Sequence, residues 1–574
     1  MAVFEGLVQS WACGFSSGFG EQNSASRIRK GTLKIFDYPS VELMVSDLPW
    51  DGRGAGSVDH PSWLMWFHSL KWLDVLVEDA RSQGPDAVAS VAFARDVARS
   101  WSRWNAAGKE KRFPAWGGHS AGLRTTSLVA LSEFVDEPWL RDEIRNHLDH
   151  LLCEEHFDGY WNHGLVQTIA LLAASLRLGD LEGVRVGKSR VDLGLVEMID
   201  LEGATNEQAP GYARYVENLL RTVIEIYRQN DLGDTSWLEE KRSLIQNFIR
   251  HALEPSGNFV QIGDSFAEEP FPGASDRPKS FDLHATGLER TKIYRRGYVF
   301  ARSGWGEKRP RWDESFYSLR FGPARVIHGH NDHMSLTWYD FRRNLIIDSG
   351  HNGYKDGDFR NFLRSPQAHN ILEVVGARHD WSAETQLEVH ESFDEADFYI
   401  LRDNAYPVPR QRSVLAFNKG PLIVLDKART SGDVAHFRQL WHIAPEFTFD
   451  RAEDNVVKFS SSRGDLDLVL LRLNITRDDS KGHSGFSYWK GSRQPIQGFI
   501  SRYDGEEFPA PCVGFDVKSD DLALLTALVA IPAGSSFGWS FRVGRRGVMI
   551  LRLHVGAVSY GVDVEVARGT MTVR

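Results

Sequence analysis

Residues 328–333, His-Gly-His-Asn-Asp-His, set three imidazoles and a carboxylate within six positions. Asp348 follows His330 by eighteen positions, and His369, inside Ala368-His369-Asn370, follows Asp348 by twenty-one. Imidazole is a common metal ligand and carries protons near neutral pH, so this block points to metal binding or proton transfer. Alternating residues 334–339 and 345–348 predict two strands joined by a turn at 340–343, which carries Asp348 back along the first strand. His330, Asp348 and His369 then form an N, N, O set with an open fourth position, as zinc takes. Counting register places Asp348 nearer residue 335 than 330, which leaves His333 a rival ligand. The competing reading is that Asp332 and Asp348 only fix histidine tautomers in a polar core. His-Glu-x-x-His, Gly-x-Ser-x-Gly and a phosphate-cradling glycine loop are absent.

Two further stretches carry polar chemistry at helix starts. In Trp161-Asn162-His163-Gly164-Leu165-Val166-Gln167, Asn162 reads as an N-cap, and His163 and Gln167 share a face at i and i+4. The plain reading is a cap beside a core-edge histidine; the functional one is an amide donor next to a proton carrier, both facing a cavity. In residues 206–215, Pro210 sits near the first helical position and Tyr212 and Tyr215 lie three apart. Core packing accounts for Tyr215, whereas Tyr212, just after Gly211, is placed to present its hydroxyl. Its phenol can act as a base only where nearby positive charge or a hydrogen bond lowers its pKa from about 10.

The elements that must position these groups change period along the chain. Helical spacing predicts segments at 62–81, 86–107, 118–133, 138–155, 162–178, 184–199, 209–230 and 235–253, with short connections that make neighbours antiparallel. Residues 258–292, rich in Gly, Pro, Asp and Ser, read as a connection. From 293 onward the period is two, punctuated by Gly, Asp and Asn. The expected fold is multidomain α+β: an all-α domain of stacked helix pairs over 1–257, then a large antiparallel β-sandwich over 293–574.

At 574 residues more than one core is expected. A net charge of −10 without a Lys/Arg stripe argues against nucleic acid as a partner. The 18 Trp and 33 Phe suit sugar stacking, but most must be core. Three scattered cysteines, Cys13, Cys153 and Cys512, exclude a disulfide framework or a cysteine zinc site. No apolar run is long enough to span a membrane, and residues 1–6 show no export signal, leaving localisation unknown. The sequence does not fix the oligomeric state.

Three of these places together resemble the heparinase II/III superfamily of polysaccharide lyases, which includes heparan sulfate and alginate lyases. The resemblance rests on Asn162-His163-Gly164, Glu207-Gln208-Ala209-Pro210-Gly211-Tyr212, the 328–333 block, Asp348-Ser349-Gly350, and Arg364-Ser365 with Ala368-His369-Asn370, in that order. It implies an (α/α) toroid followed by a β-sandwich, and a β-elimination next to a uronic acid. It implies Asn162 as the group that neutralises the substrate carboxylate, Tyr212 as base and acid, His163 and His328 as their partners, and His330, Asp348 and His369 as ligands of a structural zinc. Gln167, Glu207, Tyr215 and Arg364 are the candidates for holding an acidic polysaccharide or oligosaccharide. Two positions depart from the pattern: Ala209 and Ala213 stand where many members have Ser and His.

Two alternatives belong to other classes. A toroid glycoside hydrolase needs two carboxylates flanking the bond, for which Glu207 and Asp264 are candidates. A non-catalytic protein that binds acidic glycans fits the altered neighbourhood of Tyr212.

Overall fold

The computed structural model describes residues 17–36, 38–51, 61–107, 114–270, 287–453, 455–475 and 484–574. The chain divides into a helical unit, Met1–Asn206 with Ala213–Gln246, and a β unit, Glu207–Tyr212 with Asn247–Arg574.

The helical segments fall where the apolar spacing places them. They run Pro61–His68, Asp74–Arg81, Ala87–Ala107, Gly118–Leu131, Pro138–Leu152, Asn162–Leu178, Leu181–Met198, Pro210–Gln229 and Ser236–His251. The stretch expected as one helix over 62–81 is broken, because Leu70 takes a left-handed conformation (φ 53°) and a short 3-10 turn, Lys71–Leu73, follows. Gly118–Leu131 and Asn162–Leu178 are buried on nearly every side. A helix that is surrounded in this way needs partners for its polar side chains. Arg124 supplies the example: its guanidinium donates to the carbonyls of His68 and Ala115 at 2.9 and 2.7 Å and lies over the Trp101 ring.

In the β unit an eight-stranded antiparallel sheet lies between two other layers. Its central strands include Ala396–Asp403, Arg410–Phe417, Leu422–Arg429 and Asp521–Pro532. Tyr399, Leu401, Val414 and Ala416 point into one core, shared with the sheets that contain Phe316–Arg320, Leu336–Asp340 and Ala435–His442. Their neighbours Phe398, Ile400, Leu415 and Phe417 point into a second core, shared with the C-terminal strands Met549–Val555 and Val558–Glu565. Because both faces are covered, Arg410–Phe417 is buried at every position. Its two arginines are therefore paired: Arg410 with Asp403 and Arg412 with Asp426, each at 2.6 Å.

The expected hairpin is present: Leu336–Asp340 pairs with Arg343–Ile346, and Phe341 and Arg342, both at positive φ, make the turn. Of the stretch expected as a connection, residues 271–286 lie outside the described residues. Phe259, Val260, Ile262, Asp264 and Ser265 are buried in the β unit, so this first part is core rather than spacer.

Candidate active site and metal centre

Three segments far apart in sequence are knitted together in the β unit. Gln208 accepts from the Val326 N–H (2.9 Å) and donates to the Ala324 carbonyl (2.8 Å), clamping the approach to His328. The Asp264 N–H donates to the His328 carbonyl at 2.8 Å, and Ser265 Oγ accepts from the Gly211 N–H at 3.0 Å. Gly263 lies at the crossing with φ +56°, where an added Cβ would sit 2.5 Å from the His328 carbonyl and 2.6 Å from that of Gln208. Only glycine accommodates both the conformation and the approach.

These contacts present Tyr212 flat against His328, with ring centroids 3.6 Å apart and 12° between planes. The Tyr212 hydroxyl bonds that of Tyr354, whose oxygen is 3.3 Å from His328 Nδ1. Each nitrogen of His328 also faces a carboxylate: Nδ1 is 3.1 Å from Asp264 Oδ2, and Nε2 is 3.4 Å from Glu207 Oε2. Both carboxylates are fully buried. Burial pushes the Tyr212 phenol well above its ordinary range, and the charges of Asp264 and Glu207 add to the rise, against the Tyr354 hydrogen bond and Arg360. The phenol is therefore protonated in the resting protein.

Asp264 is the hub of this cluster. Oδ1 meets His330 Nε2 at 3.1 Å and His351 Nδ1 at 2.9 Å; Oδ2 meets His328 and, at 3.5 Å, Arg360. Burial alone would raise its pKa, but the three imidazoles hold it well below the usual carboxylate range. Among the described residues two buried triads have metal-ligand chemistry, His330–Asp348–His369 and Asp264–His330–His351, with ligand atoms within 4.8 Å of one another. In the first, Asp348 Oδ2 lies 2.7 Å from His369 Nδ1. His330 Nδ1 and His369 Nε2 are buried with no hydrogen-bond partner. Orphaned imidazole nitrogens beside a carboxylate suit a divalent cation that accepts N and O donors. His333 is in neither triad. The reason is a turn: Ser335 N–H donates to the Asp332 carbonyl with Met334 at φ +69°, folding residue 330 back toward Asp348. Asn370 secures the arrangement by donating to the Leu336 and Ile347 carbonyls, at 2.7 and 2.6 Å.

Arg364, half-buried, donates to the Ile327 carbonyl at 3.4 Å. Burial first, and then Arg360, lower its pKa, against the raising charge of Asp264. Sequence reasoning missed His351, Tyr354 and Arg360, and named Asp264 only as a hydrolase carboxylate. The signal for the first two was their place directly after Asp348-Ser349-Gly350.

A second polar cluster stands in the helical unit. Asn162 is the first residue of its helix and Trp161 holds the cap position, which corrects the expected N-cap. Gly164 is required there, since a Cβ would lie 1.7 Å from the Gly159 carbonyl. His163 is stacked between Trp161 and His119, with centroids 3.9 and 4.6 Å away, and its Nδ1 is 3.5 Å from Asp158. Tyr215, expected as core packing, also bonds His119 Nε2 through its hydroxyl at 3.2 Å. Burial, then His163, pushes His119 well below the ordinary imidazole range. Both ends of the Gln167 amide are committed to backbone: it accepts from the Asp158 N–H and donates to the His156 carbonyl.

Residues 295–560 match the family described as heparinase II/III-like, C-terminal. A mutant heparan sulfate lyase HepC from Pedobacter heparinus superposes with a TM-score of 0.68 at 18% identity, over 96% of this chain and 89% of that one. The structure described as heparinase III gives 0.73 at 15% identity, over 90% of this chain and 85% of that one. Among curated proteins there is no match. Residues 295–560 thus carry a heparinase II/III-like C-terminal domain, and the two solved structures share the chain's fold. That fold is the (α/α) toroid followed by an antiparallel β-sandwich.

Proposed function

We propose that the protein cleaves a uronate-bearing polysaccharide or oligosaccharide by β-elimination, with Tyr212 and His328 moving the protons. The observation that carries this reading is the parallel stack of phenol on imidazole, with a buried carboxylate at each imidazole nitrogen. In the reaction the C5 proton is removed, the C4–O bond breaks, the leaving oxygen gains a proton, and a C4–C5 double bond remains. The step builds negative charge on the substrate carboxylate, so donors must meet that group. Asn162 is proposed for this, with His163 as its partner, on the motif match alone. Arg364 and Arg360 are further candidates to hold acid groups.

Since the phenol is protonated at rest, Tyr212 starts as a donor. Its proton goes to the leaving oxygen, and the C5 proton goes to His328 Nε2, because Nδ1 already donates to Asp264. The hydrolase alternative asks for two carboxylates on either side of an open bond, but Glu207 and Asp264 are both buried against His328.

We further propose that His330, Asp348 and His369 hold zinc. The ion would supply a structural tie between the loop before one strand and the segments around 348 and 369. The substrate is proposed to be lightly sulfated or unsulfated, because the sequence has no repeated basic motif. The test is an ultraviolet absorbance screen across uronate polymers: a conjugated product with the wild type and none with Tyr212→Phe is expected. Reducing ends formed without absorbance would defeat the lyase reading.

A further inference from the structure

The chemistry above uses Tyr212 and His328, and the metal reading uses His330, Asp348 and His369. Neither employs the residue with the most contacts in the cluster. Asp264 is fully buried, and its two oxygens are shared between histidines from both groups. Oδ2 takes His328 Nδ1 at 3.1 Å, and Oδ1 takes His330 Nε2 at 3.1 Å. His330 Nδ1 has no partner and is the nitrogen left for the cation. A carboxylate on the far nitrogen of a metal-bound imidazole fixes ring orientation and strengthens the ligand. Here the same carboxylate also fixes the imidazole that moves the proton.

We propose that Asp264 is a positioning residue that couples the metal centre to His328: it orients the ligand His330 with one oxygen and the proton carrier His328 with the other. This inference rests on the lyase reading for its activity arm. Three further features support it. The Asp264 backbone is itself bonded to the His328 carbonyl, so side chain and main chain hold the same histidine. His351 braces Oδ1 from a third direction at 2.9 Å. Gly263 permits the close crossing that puts the carboxylate there. Without Asp264, His328 would keep its stack on Tyr212 and the longer contacts with Glu207 and Tyr354, but would lose the shortest bond that sets its rotation within the plane.

The experiment compares the wild type with the isosteric Asp264→Asn, each loaded with zinc. Asn has one acceptor oxygen in place of two, so it cannot accept from both histidines, and its NH2 meets one of them with the wrong polarity. Zinc release to a chromogenic chelator is expected to be about tenfold faster, and kcat about 100-fold lower with KM nearly unchanged. A folded variant that changes only one of the two, or neither, overturns the coupling. So does a stoichiometry of two zinc ions per chain, since Asp264, His330 and His351 would then be ligands rather than a brace. Should Asp264→Asn fail to fold, zinc removal from the wild type decides. A lower kcat at constant KM, restored by zinc, is expected, and an unchanged kcat overturns the link. If no uronate polymer yields an absorbing product even with wild type, the lyase reading falls, while zinc release still judges Asp264.

Discussion

The helical unit and the β unit each bury a cluster of histidines, and they build it in different ways. Around His163 the rings of Trp161, His163 and His119 are stacked, and one carboxylate, Asp158, touches the set at 3.5 Å. Around His328 the imidazoles are instead held by carboxylates: Asp264, Glu207 and Asp348 make the short contacts. Burial first, and then the neighbouring His163, favour neutral imidazole at His119. Imidazoles paired with carboxylates can hold and exchange protons or take a cation. The proposed reading gives the two clusters different work: hydrogen bonding to substrate in the first, proton and metal chemistry in the second.

The largest effects should come from breaking the second cluster. Tyr212→Phe keeps the stack on His328 and removes only the hydroxyl, so kcat for unsaturated product should fall about 10³-fold or more with folding intact. A folded Tyr212→Phe of normal activity would remove the β cluster from the chemistry. Next comes the frame beneath it. Arg412 donates to the Met334 carbonyl at 2.8 Å and bonds the Asn370 carbonyl, so it supports the segments carrying His333 and His369. Among the described residues its charge is matched by Asp426 alone at ion-pair distance. Asp426→Ala should cost about 3–5 kcal/mol, seen as a drop in denaturation midpoint, because it leaves a buried guanidinium unmatched.

The same difference explains what could be read from the sequence. The helical cluster is local: Asn162, His163 and Gln167 lie within one and a half turns, and their segment was legible from period and spacing. The hairpin was legible as well, but the ligand choice between His330 and His333 was not, because it turns on a backbone reversal at Met334 that has no sequence signature. Asp264 was harder still. It lies 64 residues before His328 in a stretch whose Gly, Pro and Ser content looks like a connection. Only the close crossing at Gly263 makes that stretch core. His119 was missed for a related reason: a helix buried all round gives no amphipathic stripe to mark its functional face.

A smaller effect tests the helical cluster. If Asn162 meets the substrate carboxylate, Asn162→Ala should lower kcat about 10²-fold through lost stabilisation of developing charge. His163→Phe, which keeps the stack between Trp161 and His119, should lower it less. If both variants retain full activity on the polymer that wild type cleaves best, the first cluster is structural and the comparison sharpens to one chemical centre.

The smallest effect concerns a buried carboxylate that lacks the partners Asp264 has. Glu254 of the β unit has neutral hydrogen-bond partners, the Asn344 amide at 3.2 Å and the Ser256 hydroxyl at 3.3 Å. Burial pushes its pKa up to about 7, against those two bonds. The folded protein thus holds the proton more tightly than the unfolded chain, whose glutamate titrates near 4.5. Its contribution to stability is fully present below pH 4.5 and is lost as pH rises through 7. Glu254→Gln removes the charge while keeping an amide that can bond Asn344. It should raise the unfolding free energy by about 2 kcal/mol at pH 8, and the gain should shrink to nothing by about pH 4.5. Denaturant melts of the two proteins at pH 4.5, 6 and 8 measure this. A gain independent of pH would mean that packing, rather than the unmatched charge, sets the difference between Glu254 and Asp264.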